Sequence, residues 1–412
     1  MNYLHTAEIL YTNNTIYSNY AVLLSEDGIV LEFNFTKKIK GYYDKEIKHQ
    51  ILMPGVINCH THLTDSFHKK QVSGGEGLVN WVRNLINSRN LNLQTEDQLK
   101  KSVEFILNEM MFSGTVAIGE VSNDFKTINA IIDSRINCLF NYELTGFKES
   151  NYNAVIANSK LKIIELQNQN NDFKKDNLNW VYSAHAPYSV SLNLLKLIKD
   201  ENNKRGGKTF QHLAEDSQER KLYINGNGEF VDLLKYFNAF DENWIFPKVS
   251  PIQLYNEFEL LDENYVGVHL TDCTANEIEM LSTCNCYGVL CPITNLHITK
   301  KLPPFEEIIK NKLKFGLGTD GLGSNWSSNV FDEAKLLLEN WYGLAPGILL
   351  KSLTSIGAEI LGFNSLGKFQ VGNNCGMISI ETNTINNDLK SLEEGIILNP
   401  TTRNSINFLK MY

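Results

Sequence analysis

The sequence predicts an α/β fold: a (β/α)₈ TIM barrel with a small β-sandwich domain built from both termini. Three observations lead there. Eight short, near-continuous apolar runs recur along the middle of the chain. Stretches of helical spacing separate them. Strand-like segments with turn punctuation stand at both ends. The runs are Leu52–Cys59, Thr115–Val121, Ile136–Leu144, Leu178–Ala184, Lys208–Leu213, Tyr265–Leu270, Tyr287–Cys291 and Leu313–Gly318. Unbroken apolar runs of this length fit parallel strands covered on both faces. Asp97–Met111 and Leu192–Asn203 show the helical period between them. Eight β-then-α units make a closed barrel, although a doubly wound open sheet shares the alternation. At the ends, Thr15–Leu24, Gly28–Asn34 and Gly376–Glu381 carry β-branched and aromatic residues beside turn formers such as Glu26-Asp27-Gly28. The expected division is 1–52 and 364–412 for the sandwich and 53–363 for the barrel.

The chain has 412 residues, 42% of them hydrophobic, and a formal net charge of −9. That acidic balance argues against nucleic acid or an anionic membrane as the main partner and favours a small molecule. The first residues lack a basic segment followed by an apolar one, and no run approaches the roughly 18 apolar residues of a membrane span. A cytoplasmic protein is therefore expected, with a homodimer as its assembly. The seven cysteines follow no regular framework and read as reduced thiols.

Barrel enzymes carry their chemistry where the strands end. Run one ends in His60-Thr61-His62, run four in His185 and run five in His212, with Glu215 three residues on. Run six ends in His269, and Asp320 follows run eight. Residues two apart on a strand face the same side, so His60 and His62 can reach one ion. A third histidine and an aspartate from other strand ends complete a nitrogen-rich set with one carboxylate. Such a set suits Zn²⁺ or Fe²⁺ rather than Mg²⁺ or Ca²⁺. Glu215 is placed for general acid–base work, and His269 and Asp320 for orienting the water and accepting its proton. Taken singly, each has a plain structural explanation: a helix first-turn glutamate, a core histidine, an N-cap aspartate. Five strand ends at once are harder to explain that way.

His185, Trp81, Arg83 and Ser324 are candidate substrate contacts. Glu120 and Glu143, which end runs two and three, could reach a substrate's polar groups or be solvated loop carboxylates, and the second reading is preferred. Gly74-Gly75-Glu76-Gly77 lacks the Lys-Ser/Thr of a phosphate loop and reads as a mobile loop over the barrel mouth.

Taken together, these motifs resemble the amidohydrolase superfamily. Met53-Pro54-Gly55-Val56-Ile57-Asn58-Cys59-His60-Thr61-His62 is similar to its first metal-binding segment. His212-Leu213-Ala214-Glu215-Asp216, Val268-His269, Cys291-Pro292-x-x-Asn295 and Gly318-Thr319-Asp320-Gly321-x-Gly323-Ser324-Asn325 resemble later motifs of its aminohydrolase branch. The resemblance implies a barrel inserted into a β-sandwich, one metal ion held by His60, His62, His212 and Asp320, and proton handling by Glu215 and His269. Gly74–Arg83, Gly226–Phe230 and Ser250-Pro251 look like aminodeoxyfutalosine deaminases of the alternative menaquinone route. One departure stands out: Leu63-Thr64-Asp65-Ser66 follows the paired histidines where relatives often carry Leu-Glu-Leu-Ser.

The resulting expectation is hydrolytic deamination of an aminopurine nucleoside-like compound by a cofactor-type divalent ion, Zn or Fe. Hydrolysis of another C–N or C–Cl bond at the same site is the alternative. A non-catalytic metal-binding descendant is the second.

Overall fold

The structure is a computed structural model that describes residues 1–69, 71–91, 93–169, 177–381, 388–398 and 406–408. Both chain ends feed one sheet. Its N-terminal strands are β1 (Asn2–Thr12), β2 (Thr15–Ser18), β3 (Tyr20–Ser25), β4 (Val30–Phe35) and β5 (Lys45–Pro54). After the barrel, β15 (Met377–Ile380) pairs antiparallel with β5, and β16 (Ile406–Phe408) pairs with β15. The strand order is β16-β15-β5-β1-β3-β4, with β2 also on β1, in one continuous seven-stranded sheet. Of the expected C-terminal part 364–412, residues 382–387, 399–405 and 409–412 lie outside the described residues.

Strand alternation decides what each face of this sheet does. Leu10, Leu52 and Met377 join Val22, Leu24 and Phe369 in a separate apolar cluster. Their neighbours Ile9, Tyr11, Ile51, Met53, Ile378 and Ile380 belong to the main core, which contains the barrel's outer layer. One sheet thus encloses its own core on one side and braces the barrel on the other.

Eight runs become the barrel strands β6 (Val56–His62), β7 (Thr115–Ser122), β8 (Asn137–Leu144), β9 (Leu178–Ala184), β10 (Thr209–Leu213), β11 (Tyr265–His269), β12 (Tyr287–Leu290) and β13 (Lys314–Leu317). They are parallel and hydrogen-bonded in sequence order. Directly after β13 the pair Asp320–Gly321, β14, bonds parallel to β6 in the register Asp320↔Thr61 and Gly321↔His62. That pairing closes the ring. The open-sheet alternative is excluded by it.

One expectation changes. Leu52–Cys59 is not a single strand: Leu52–Pro54 finishes β5 and Val56 starts β6. Gly55 is the joint. A side chain there would meet Gly376 O at 2.3 Å and Val116 Cγ1 at 2.2 Å. The chain can pass from sheet to barrel in one residue only because that position has no Cβ. No helix among the described residues is long and apolar enough to cross a membrane.

Gly318 matters for the same reason. A Cβ on it would lie 2.6 Å from His60 Cβ and 2.9 Å from His60 N. Gly318→Ala should therefore lower stability by about 1–3 kcal/mol, read from the urea midpoint. It should also cut divalent-metal retention, read by metal analysis after dialysis. Unchanged retention would show that β13 does not constrain His60.

Candidate metal centre and active site

β6 brings His60 and His62 to its C-terminal end on one face. Ring closure then sets Asp320 beside them: Asp320 Oδ1 lies 3.4 Å from both His60 Nε2 and His62 Nε2. Behind this contact, buried Asn58 donates to Thr319 Oγ1 at 2.8 Å and accepts the Thr319 N–H at 3.1 Å. His212, at the end of β10, completes the group. Its Nε2 is 3.3 Å from His60 Nε2 and 3.4 Å from His62 Nε2. Its Nδ1 sits 2.8 Å from the His185 carbonyl. A carbonyl only accepts, so Nδ1 carries the proton and the Nε2 lone pair is free to face the cluster.

These distances test a metal. Four donors about 2.0–2.1 Å from a central ion in a tetrahedron are about 3.3–3.4 Å apart. Four of the six edges are 3.3–3.4 Å and match that spacing. His60, His62 and His212 form the compact three-nitrogen group, with donor atoms within 4.8 Å of one another, and Asp320 adjoins it on the side of His60 and His62. Burial lowers the His60 and His212 imidazoles below their ordinary range, which keeps them neutral and able to donate lone pairs. The donor set fits a divalent metal ion.

Two further groups face the cluster. Glu215 is buried, and burial raises its carboxyl well above the usual range, helped by the charges of Asp320, Asp216 and Glu219. His269 is also buried, and burial drives its imidazole down to about 3 against the pull of Asp320. Glu215 Oε2 lies 3.6 Å from His269 Nε2, while the Asn295 side-chain amide sits 3.1 Å from His269 Nδ1. The oxygen of that amide has no other partner among the described residues. With that oxygen turned to accept from Nδ1–H, the Nε2 lone pair of His269 is free to take a proton. Burial acts on both in the sense that disfavours charge: it raises the Glu215 carboxyl and lowers the His269 imidazole. Both His269 (φ 78°) and Asp320 (φ 58°) adopt the left-handed backbone that non-glycine residues disfavour, a form of strain that gathers at functional sites.

A cavity of about 800 Å³ opens over this centre, with His62, His212, Glu215, His269 and Asp320 at its floor. His185 and Trp81 line it as expected, and the Trp81 Nε1 is buried with no hydrogen-bond partner among the described residues. Arg83 does not line it. The helix Leu78–Leu91 turns about 100° per residue, so Arg83 is exposed and meets Asn80 Oδ1 at 3.4 Å. Leu78, Trp81, Val82, Leu85 and Arg89 form the cavity face instead. Ser324 does not line it either. The chain folds back at Gly321, so the Ser324 hydroxyl is buried and donates to Gly321 O at 3.1 Å.

Four residues carry more than their sequence context suggested. Glu120 is fully buried rather than solvated: it accepts the Thr61 hydroxyl at 2.8 Å and the Leu63 N–H at 3.0 Å, on either side of His62. Glu143 faces the cavity, 3.7 Å from His212 Nδ1. Asp65, from the unusual Thr64-Asp65 pair, accepts Arg89 Nη2 at 2.6 Å on the cavity wall. For Arg89 the helical period of Leu78–Leu91 was a usable signal. For Asp65 the Thr64-Asp65 departure was a signal, and for Glu120 and Glu143 the end of a strand run was; their partners were visible only in the third dimension. The Gly74–Gly77 segment is tethered, since Gly75 N–H and Gly77 N–H both donate to Ile298 O at 3.2 Å. All seven cysteines are free thiols.

Comparison with known proteins agrees with this architecture. The amidohydrolase family model matches residues 51–403. The chain is 26% identical over 371 residues to the aminodeoxyfutalosine deaminase of a Nitratiruptor species, covering 88% of this chain and 87% of that protein. Helicobacter pylori aminofutalosine deaminase, solved in complex with methylthio-coformycin, superposes with a TM-score of 0.82 at 19% identity, over 96% of each chain. An adenosine deaminase from Xanthomonas campestris solved with bound zinc superposes with a TM-score of 0.77 at 18% identity, over 98% of this chain and 90% of that one. At these identities the structural likenesses show the fold.

Glu120→Ala should strand the Thr61 hydroxyl and the Leu63 N–H, each costing roughly 1–3 kcal/mol when buried unpaired. Urea unfolding in the presence of a chelator should show a loss of at least about 2 kcal/mol. A loss below about 0.5 kcal/mol, on the order of a surface change, would mean that Glu120 does not support the His62 strand end.

Proposed function

The chain belongs to the amidohydrolase family, and on that premise we propose that it is a metal-dependent deaminase of an aminopurine nucleoside-like substrate. The observation that carries this reading is geometric: Glu215 Oε2 lies 3.6 Å from His269 Nε2 beside the clustered donors of His60, His62, His212 and Asp320. The relative from Nitratiruptor makes 6-aminodeoxyfutalosine the first compound to test.

His60, His62, His212 and Asp320 would hold one divalent ion, Zn²⁺ or Fe²⁺. Such an ion supplies a nucleophile at neutral pH by lowering the pKa of a coordinated water toward about 7. The reaction exchanges the ring amino group for oxygen: a C–O bond forms, the C–N bond breaks, and ammonia leaves. Glu215 gives its proton to the ring nitrogen next to the reacting carbon, which makes that carbon more electrophilic. His269 accepts a proton from the attacking water, with the ionised Asp320 beside it stabilising the resulting imidazolium. Glu215, left ionised, takes the second water proton as the new C–O group becomes a carbonyl, and His269 returns its proton to the departing ammonia. Both groups are restored, and the two water protons account for the ring N–H and the extra proton of ammonia, so the step balances. His185, Trp81 and the Asp65–Arg89 pair line the rest of the cavity and would contact the nucleoside portion. The apolar helix face Leu78, Val82 and Leu85 excludes water from the reacting ring.

Glu215→Gln keeps the shape but loses the transferable proton. It should bind one equivalent of metal like the parent and lose on the order of 10²–10⁴-fold in kcat, measured as ammonia release from aminopurine nucleosides. Activity within about threefold of the parent, roughly the scatter of a neutral change, would remove Glu215 from the proposed role. The raised Glu215 carboxyl also predicts the pH dependence. It donates while protonated, so kcat should fall as pH rises through its elevated pKa, and this alkaline limb should be missing from the residual activity of Glu215→Gln.

A further inference from the structure

We propose that Glu219, which lies outside the substrate cavity, is a positioning residue that sets the turn carrying Glu215. The inference rests on the reading of Glu215 as the proton donor.

Glu215 follows His212 by three residues, so the chain must leave β10 sharply for both side chains to face one centre. It does so through Ala214, whose φ of 49° lies in the left-handed region that residues with a Cβ disfavour. Something outside Ala214 must hold it there. Its peptide groups are gripped from two sides. The Ala214 N–H donates to Glu219 Oε1 at 2.8 Å. The Ala214 carbonyl accepts the Asp272 N–H at 2.6 Å.

Both jaws of this clamp are themselves fixed. Glu219 sits in the first turn of the helix Ser217–Asn225, whose N-cap Asp216 accepts the Gln218 N–H at 2.8 Å and, through Oδ2, the Leu78 N–H at 2.9 Å. Asp272 is held by Arg220, which donates to Asp272 Oδ2 at 3.0 Å and to its carbonyl at 2.6 Å, and which also pairs with Glu277. Asp272 follows His269 by three residues, and Leu270 N–H donates to Leu213 O at 3.1 Å. The same clamp therefore ties the loop bearing Glu215 to the loop bearing His269.

Glu219 is an expensive way to make one hydrogen bond. It is 2% exposed, and its Oε2 is buried with no hydrogen-bond partner among the described residues. It is absent from the cavity wall that contains Glu215 and His269. Burial lifts its carboxyl to about 8, so at neutral pH Oε1 acts as a carbonyl acceptor. A glutamine has the same shape and the same acceptor.

The test compares E219A, E219D and E219Q with the parent in one assay panel. The parent is first assayed for ammonia release from 6-aminodeoxyfutalosine, adenosine and 5′-modified adenosines. E219A should lower kcat roughly tenfold to a hundredfold while KM and bound metal per chain stay near the parent values. E219Q should restore most of the rate. E219D, which keeps the acid but shortens its reach by one methylene, should behave like E219A and serves if E219A is not recovered folded. Amide exchange of the peptide spanning 209–219 supplies a readout independent of turnover. The Ala214 amide should exchange faster in E219A and E219D and stay protected in E219Q. Equal rates and equal protection in all variants would overturn the proposal, as would a loss explained by lost metal. A parent without deaminase activity would sink the functional reading, and the exchange data alone would then decide the clamp.

Discussion

Asn58 and Thr319 exchange two hydrogen bonds across the seam where the barrel closes, and the site depends on that exchange. β6 is the first barrel strand and β14 the last, and the two bonded residues stand 261 positions apart in the chain. The pairing of these strands is the step that turns a curled sheet into a ring, and it is also the step that carries Asp320 to within 3.4 Å of His60 and His62. Fold closure and assembly of the donor set are thus one event. The seam is tight: Gly318 and Gly321 flank Asp320 because His60, His62 and Asp65 leave no room for side chains.

Around the centre burial shifts most of the titrating groups, while at Asp320 the facing histidines overcome burial and hold the carboxyl low. Glu215, Glu120, Glu219 and Glu333 are all buried carboxyls raised by desolvation. His60, His212 and His269 are lowered by the same cause. Low-dielectric surroundings therefore raise these glutamates and lower these imidazoles together. Their roles then differ by geometry. Glu215 faces the cavity. Glu120 and Glu219 face backbone N–H groups and hold strand ends and turns. The left-handed residues Ala214, His269 and Asp320 mark where this support is needed.

The cavity above the floor is lined by two kinds of residue. The floor is histidine, glutamate and aspartate from strand ends, while the wall is the helix Leu78–Leu91 with Asp65 packed against Arg89. The segment after the paired histidines forms part of that wall, with Thr64 and Asp65 lining the cavity.

The sequence by itself determined the eight strands, the helices between them, and the strand-end residues His60, His62, His212, Glu215, His269 and Asp320. These follow from local pattern: burial on both faces makes an apolar run, and parallel strands must present their ends to one side. It did not determine which groups stand behind them. Glu120, Asn58 and Glu219 meet partners fixed by packing, and an isolated acidic or amide residue at a strand end looks the same whether solvated or buried. Arg83 and Ser324 were misplaced for a related reason: proximity in sequence to a site says nothing of which way a helix face or a tight turn points. Only the tertiary structure decided that, because the closure of the ring and the rotation of each helix are set by packing between segments far apart in the chain.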